Sequence, residues 1–452
     1  MAQPNIVFFF SDQQRWDTCG CYGQPLDVTP NLDRMAREGV RFEHAYTCQP
    51  VCGPARACLQ TGKYAAEVGC YRNGVALPQD QKTVANWMSE LGYDVGYIGK
   101  WHLASTHRRY SPEDDHLEED INFRENAVPL NRRGGFKDYW LASDVLEYTS
   151  HSYDGHMFDA DGHKRCFPDG RYRADAQTDW VIEYLQNRKT QNPFYLFVSY
   201  IEPHHQNDHK HYEGPKGSKE QFKNFTVPGD LEDTGGDWRE EYPDYLGCCH
   251  SLDKNLGRIR EELERQGIAD NTIIIYTSDH GSHFCTRNSE YKRSCHDGCT
   301  HIPMVIHGPG FTGGKVIDKL VSLIDLPRTI LDIAGLEVPA YVRGRSLKPL
   351  AEGAVDDWRD EVFLQISESQ CGRAIRTKKW KYSVEAPHNY RGPRADVYHE
   401  AFLFDLEADP HEKNNLVRSS EHAAVREDLA RRLKRCMVEA GEKEPVILST
   451  AG

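Results

Sequence analysis

Ile273-Ile274-Ile275-Tyr276-Thr277, a run of β-branched and aromatic residues, follows the amphipathic stretch Leu252–Gln266 across a turn bracketed by Gly267 and Asn271. A helical pattern that gives way to a short continuous apolar run reads as one helix feeding one strand. The passage recurs along the chain. Val84–Leu91 leads into Asp94–Ile98, and Ala174–Arg188 leads into Phe194–Tyr200. Near the start, the run Ile6–Phe10 is followed by a helical stretch over Thr29–Gly39, with Pro30 in its first turn and a glycine at its end. Strands alternating with helices predict an α/β fold with a mostly parallel sheet flanked by helices.

Two regions interrupt the alternation. Residues 105–173 and 204–244 are rich in Asp, His, Gly, Pro and Arg with little periodicity, and read as excursions from the sheet of the kind that shape a pocket. After Gly344–Leu350 the pattern changes to short strands at Glu361–Ile366, Gly372–Arg376, Lys379–Val384 and Leu403–Leu406, then a charged helix from about Ser420 to Glu439. This divides the chain into an α/β domain over residues 1–350 and a smaller C-terminal α+β domain over 351–452.

With 452 residues, 38% hydrophobic and 27% charged, the composition is globular. The net charge of −14 argues against a nucleic-acid partner held by broad phosphate neutralisation, so an anionic ligand needs a locally basic site. The apolar run Ile6–Phe10 is too short for a signal sequence or a membrane span, and a cytoplasmic location with no membrane partner is expected. The 14 cysteines are then free thiols, and the sequon Asn224-Phe225-Thr226 is idle. No phosphate loop, dinucleotide fingerprint or internal repeat is present, and the oligomeric state is left open.

Taken alone, Cys52 in Cys52-Gly53-Pro54-Ala55-Arg56 is a buried or capping thiol beside a helix start. Together with Thr61-Gly62-Lys63 downstream, however, the stretch resembles the signature of type I sulfatases, Cys-x-Pro-x-Arg followed by Thr-Gly. The resemblance implies oxidation of Cys52 to formylglycine by a formylglycine-generating or radical maturation enzyme. A hydrated aldehyde has two geminal hydroxyls: one can attack sulfur, and deprotonation of the other expels sulfate and restores the carbonyl. Arg56, one helical turn on, would hold charge near this nucleophile.

Asp12 follows the Ile6–Phe10 run and Asp279-His280 follows Ile273–Thr277, so all lie where α/β sheets place ligand sites. Singly, such aspartates are turn or cap residues. Beside Cys52, the set Asp12, Gln13, Cys52, Asp279 and His280 resembles the sulfatase metal site, which implies Ca²⁺. The family often has Asp-Asp at the first motif and Asp-Asn or Asp-His at the second. Gln13 replaces a carboxylate by a neutral amide, which leaves Mn²⁺ or Mg²⁺ as alternatives.

Gly99-Lys100-Trp101-His102 resembles the second sulfatase signature, which implies that Lys100 binds a sulfate oxygen and His102 contacts the formylglycine hydroxyl. His204, in Glu202-Pro203-His204-His205, corresponds to the family's general acid at the leaving oxygen, and Lys292 to a second sulfate-binding lysine. The bland alternatives are a surface lysine and a stacked histidine at 100–102 and a solvated lysine at 292. His209 and His211 read as a solvated loop, and His107, Arg108, Arg109, Arg132, Arg133 and His301 as isolated charges. Trp101 reads equally as a sugar platform or a core residue.

Further segments resemble the family at intervals: Asp27–Asp33, Gly39–Phe42, Leu403–Leu406 and Asp409–Glu412. The resemblance therefore implies an alkaline-phosphatase-like fold and hydrolysis of sulfate esters, with a sulfated saccharide, derived from glycosaminoglycan or mucin, as the expected substrate. Two other readings are a phosphonate monoester or phosphodiester hydrolase of the same superfamily, and a non-catalytic sulfated-glycan-binding relative in which Cys52 stays a thiol.

Overall fold

A computed structural model of the chain describes residues 3–106, 121–355, 357–389 and 391–450. His107, Arg108 and Arg109 lie outside the described residues. The strands are β1 (Asn5–Ser11), β2 (Val40–Tyr46), β3 (Asp94–Lys100), β4 (Tyr139–Ser143), β5 (His156–Asp159), β6 (Lys164–Cys166), β7 (Phe194–Ser199), β8 (Thr272–Ser278), β9 (Met304–His307) and β10 (Lys315–Ser322) in one sheet. A second sheet holds β11 (Glu361–Ile366), β12 (Gly372–Thr377), β13 (Trp380–Glu385), β14 (Val397–Asp405) and β15 (Val446–Leu448).

The large sheet runs β10-β2-β9-β8-β1-β7-β3-β4-β5-β6. Its centre, from β8 to β4, is parallel, and β9, β5 and β6 run antiparallel to their neighbours. β1 lies at the middle because all of its residues can be buried. Ile6, Phe8 and Phe10 enter the core on one face, and Val7 and Phe9 the core on the other, as the two-residue period of a strand requires. Phe8 stacks on Phe197 of β7 with ring centroids 4.6 Å apart, and Phe9 on Tyr276 of β8 at 5.0 Å.

The registers decide where the chemistry falls. Ser11 pairs with Ser278, Phe10 with Ser199, and Gly99 with Ser199. Parallel strands in that register end together, so Asp12, Asp279, Lys100 and the chain after Ser199 emerge side by side. Helix α1 (Pro30–Glu38) starts at the proline seen in the sequence, and α2 (Cys52–Thr61) is buried along its whole length. Gly62, at φ 69°, ends α2 in the left-handed conformation that glycine adopts without strain.

Three expectations need correction. Residues 105–173 are not only an excursion, because β4, β5 and β6 extend the sheet. Among the described residues only a single 3-10 turn, Leu130–Arg132, lies between β3 and β4, so the helix–strand alternation did not announce β4. The helix expected at Leu252–Gln266 spans Trp238–Arg265, taking in part of the second excursion and Pro243. A proline there removes one bond near the helix start, while Trp238, Tyr242 and Tyr245 anchor that end in an aromatic cluster. In the second sheet, β11 to β14 are antiparallel as expected, and β15 adds a parallel edge strand that was not foreseen.

The sheets are joined by an apolar contact in which Tyr46, Cys295 and Leu320 meet Val362, Leu364, Ile366 and Ala374. Helix Ala423–Glu439 covers the second sheet through Leu429, Leu433 and Met437. All 14 cysteines are free. No helix among the described residues is long and apolar enough to cross a membrane.

Candidate active site

Four parallel strand ends and the first turn of α2 build the site. Cys52 begins α2, and its Sγ lies 3.3 Å from Asp12 Oδ1, 3.2 Å from His280 Nε2 and 2.8 Å from Lys292 Nζ. Arg56, one turn along α2, donates to Asp12 Oδ2 at 2.9 Å, to the Lys100 carbonyl at 2.8 Å and to Ser199 Oγ at 2.7 Å. It thereby ties β1, β3 and β7 together at their ends. Lys100 Nζ is 2.8 Å from Asp12 Oδ2.

His204 Nε2 faces Lys292 Nζ at 3.2 Å, while its Nδ1 faces the His205 carbonyl at 2.6 Å and Glu147 Oε2 at 3.4 Å. His102 has a left-handed backbone, φ 60°, and its N–H donates to the Asp144 carbonyl at 2.6 Å. Cys52, Lys100, His102, His204 and Lys292 line one cleft of about 420 Å³. The structure thus gathers the other nine sequence-predicted residues about Cys52, Gln13 joining through its N–H bond to Asp279 Oδ1.

Charge in this buried cluster is uneven. Burial opposes ionisation of Asp12, but Lys100, Arg56 and Lys292 hold its carboxyl well below the usual range. Burial and the neighbouring Asp12 push the Asp279 carboxyl up to about 7. Burial, again with Asp12 beside it, pushes the Cys52 thiol up to about 12, so an unmodified Cys52 is a neutral thiol and a poor nucleophile. Burial together with Lys100 lowers the pKa of both His102 and His204, and burial with Lys292 lowers that of His280.

The donors fit a hard divalent cation. One ligand atom each from Asp12, Cys52, Asp279 and His280 lies within 4.8 Å of the others. Asp279 Oδ2, 3.5 Å from the Arg56 guanidinium, and Gln13 Oε1 are buried without a hydrogen bond, and both are oxygen donors of the kind a hard cation takes. His280 Nδ1 is 2.9 Å from the Gly281 carbonyl, so Nδ1 carries the proton and the Nε2 lone pair faces Cys52.

Other residues fall elsewhere. Trp101 is packed among Tyr97, Phe136 and Trp140, and is a core residue rather than a sugar platform. His301 stacks on Trp16 at 4.2 Å, Arg133 donates to the Val128 carbonyl, and His205 stacks on Tyr291. His209 and His211 lie on an exposed turn beside Glu213.

Sequence reasoning missed Ser199, which bonds Arg56, and Glu147, Asn207 and Tyr291, which wall the cleft. Ser199 ends β7 only five residues before His204, a signal that could have found it. Glu147 sits in an aperiodic segment and left none.

Comparisons with known proteins agree with this architecture. The sulfatase family model matches residues 4–336, and that of the C-terminal part of N-sulphoglucosamine sulphohydrolase matches 289–439. The chain is similar to an N-acetylglucosamine-6-O-sulfatase of Bacteroides thetaiotaomicron, at 27% identity over 98% of this chain and 88% of that one. It is similar to an arylsulfatase of Clostridium perfringens, at 30% identity over 93% and 91% of the two chains. A structure solved with its substrate D-glucosamine-2-N,6-O-disulfate superposes with a TM-score of 0.77, at 25% identity over 98% of this chain and 99% of that one. The chain belongs to the sulfatase family, with an alkaline-phosphatase-like fold, and is a sulfuric ester hydrolase.

Proposed function

We propose that the chain removes sulfate from a sulfated carbohydrate, with position 52 carried as formylglycine and a divalent cation, Ca²⁺ in the first instance, held by Asp12, Gln13, Asp279, His280 and the residue at 52. The observation that carries this reading is the position of Cys52 Sγ, within 3.3 Å of Asp12, His280 and Lys292 at the base of an open cleft. The thiol stands here for the hydrated aldehyde. A neutral thiol has no nucleophilic role in such surroundings, whereas a geminal hydroxyl does. When bound, the cation supplies Lewis acidity to the nucleophile and the ester oxygens.

Each remaining role follows from position. Lys100 and Lys292 hold the sulfate oxygens, and with Arg56 they concentrate positive charge inside an acidic protein. His204 delivers a proton to the leaving sugar oxygen. The free site disfavours a protonated His204, but a bound sulfate ester places negative charge between the lysines and restores the proton. His102, on the same wall, takes the proton from the second hydroxyl so that sulfate leaves.

For substrate we favour a terminal residue of a glycosaminoglycan- or mucin-derived saccharide, a reading supported by the sulfated amino sugars that similar proteins are named for. A cytoplasmic location and a separate maturation enzyme complete the proposal. It is tested by measuring inorganic sulfate and phosphate released from sulfated mono- and disaccharides, aryl sulfates and phosphodiesters, with protein co-expressed with a maturation enzyme. Sulfate from a saccharide, lost in Cys52→Ala, is the expected result. Preferential phosphodiester cleavage, or silence with formylglycine verified at position 52 by mass spectrometry, overturns it.

A further inference from the structure

Gln13 is held at every group but one. Its backbone is left-handed, φ 73°, an uncommon state for a residue with a side chain. Its N–H donates to Asp279 Oδ1 at 2.9 Å, and its carbonyl accepts from the Tyr245 hydroxyl at 2.6 Å. The side-chain Nε2 donates to the Tyr212 hydroxyl at 2.5 Å, which leaves only Oε1 buried without a partner.

The direction of the last bond is set further along. Tyr212 Oη is 2.9 Å from Ser282 Oγ, and Ser282 Oγ is 3.2 Å from the Tyr291 carbonyl. A carbonyl only accepts, so the single proton of Ser282 goes to Tyr291. Ser282 then has lone pairs for the Phe284 N–H, at 3.3 Å, and for the Tyr212 hydroxyl. Having donated to Ser282, the Tyr212 oxygen can only accept from Gln13, and an amide oxygen in place of Nε2 would face it lone pair to lone pair.

We infer that Tyr212 is a positioning residue that selects the amide orientation of Gln13, turning Oε1 rather than Nε2 toward the cation. The inference rests on Gln13 being a cation ligand. A carboxylate at position 13 would offer oxygen whichever way it turned; a glutamine offers oxygen at one end only, so this chain needs a device to choose the end. The Tyr212–Ser282–Tyr291 relay supplies it.

The test is Ca²⁺ binding by calorimetry on chelator-stripped full-length protein, with Tyr212→Phe, Ser282→Ala, Gln13→Ala, Gln13→Glu and the double variant Gln13→Glu/Tyr212→Phe. Tyr212→Phe keeps the ring that packs on Tyr245 and Phe284. It is expected to weaken Ca²⁺ binding roughly 10- to 100-fold. Ser282→Ala frees the phenol proton to seek Gln13 Oε1 and acts in the same direction, which keeps the test open if Tyr212→Phe folds poorly. Against Gln13→Glu, the Tyr212→Phe change is expected to have no such effect, a rescue that a merely structural tyrosine would not show. Wild-type affinity in both Tyr212→Phe and Ser282→Ala, alongside weakened binding in Gln13→Ala, overturns the inference while leaving Gln13 a ligand. Unchanged binding in Gln13→Ala overturns the reading of Gln13 itself.

Discussion

Lys292 Nζ lies 2.8 Å from Cys52 Sγ although the two residues are 240 positions apart in the chain. The contact is made by the loop after β8, which folds back so that His283 N donates to the Tyr291 carbonyl at 2.8 Å and the side chains of His283 and Asn288 bond the Lys292 carbonyl at 3.1 and 3.0 Å. Three bonds around one residue hold the ammonium over the nucleophile without help from regular secondary structure.

Lys292→Ala is therefore expected to lower sulfate release at least about 100-fold, as loss of a preorganised charge at an oxyanion does. Because Lys292 also attracts the buried Asp12 carboxylate, the thermal midpoint of the variant is expected to fall modestly as well. Sulfate assays and thermal melts on one preparation check both halves.

Arg56 combines stability with activity. Its guanidinium joins Asp12, the Lys100 carbonyl and Ser199 in the interior, so Arg56→Ala removes one of the two close cationic partners of the buried Asp12 carboxylate, Lys100 being the other. Denaturant unfolding is expected to show a loss of about 3 kcal/mol, together with inactivity, whereas Cys52→Ala is expected to be inactive yet nearly as stable as the parent.

Cation affinity should depend on pH through Asp279. Its carboxyl titrates near 7, so protons compete with the cation below that value and do not above it. Apparent affinity is expected to fall by up to about tenfold per pH unit below 7 and to level off above 8. Calcium titrations followed by thermal shift at several pH values measure this, and chelation is expected to lower the midpoint by the stabilisation that ligand binding confers.

A second pH effect belongs to the junction between the sheets, where Lys381 Nζ lies between Asp297 and Glu412, 2.5 Å from Glu412 Oε1. Burial outweighs the pull of Lys381 and, with Asp297 alongside, pushes the Glu412 carboxyl from 4.5 to about 7. A carboxyl raised on folding contributes stability that is complete below 4.5 and is lost as pH rises through about 7. Glu412→Gln lacks this titration, so the melting temperature of the variant minus that of the parent is expected to increase from pH 5 to pH 8. A difference independent of pH would contradict the assignment.

Much of the fold was legible because its central strands are apolar on both faces and flank amphipathic helices, as with Ile6–Phe10 and Ile273–Thr277. The strand Tyr139–Ser143 was not, since no α-helix among the described residues introduces it, and neither was Val446–Leu448, which has only three residues. Candidate site residues were legible where they follow a strand or form a spaced motif, as Asp12, Asp279 and Cys52–Arg56 do. Glu147 and Tyr212 were not, since each acts through a contact that no local pattern encodes.

Local chemistry thus determined the central strands, helix starts such as Pro30 and which residue types stand at the strand ends, because periodicity and turn preferences act over a few residues. Tertiary structure alone decided the register that brings Ser11, Ser278 and Ser199 level, the return of Lys292 to Cys52 and the orientation of the Gln13 amide. Those depend on packing and hydrogen bonds between segments up to hundreds of residues apart, whose geometry no single stretch of the chain contains.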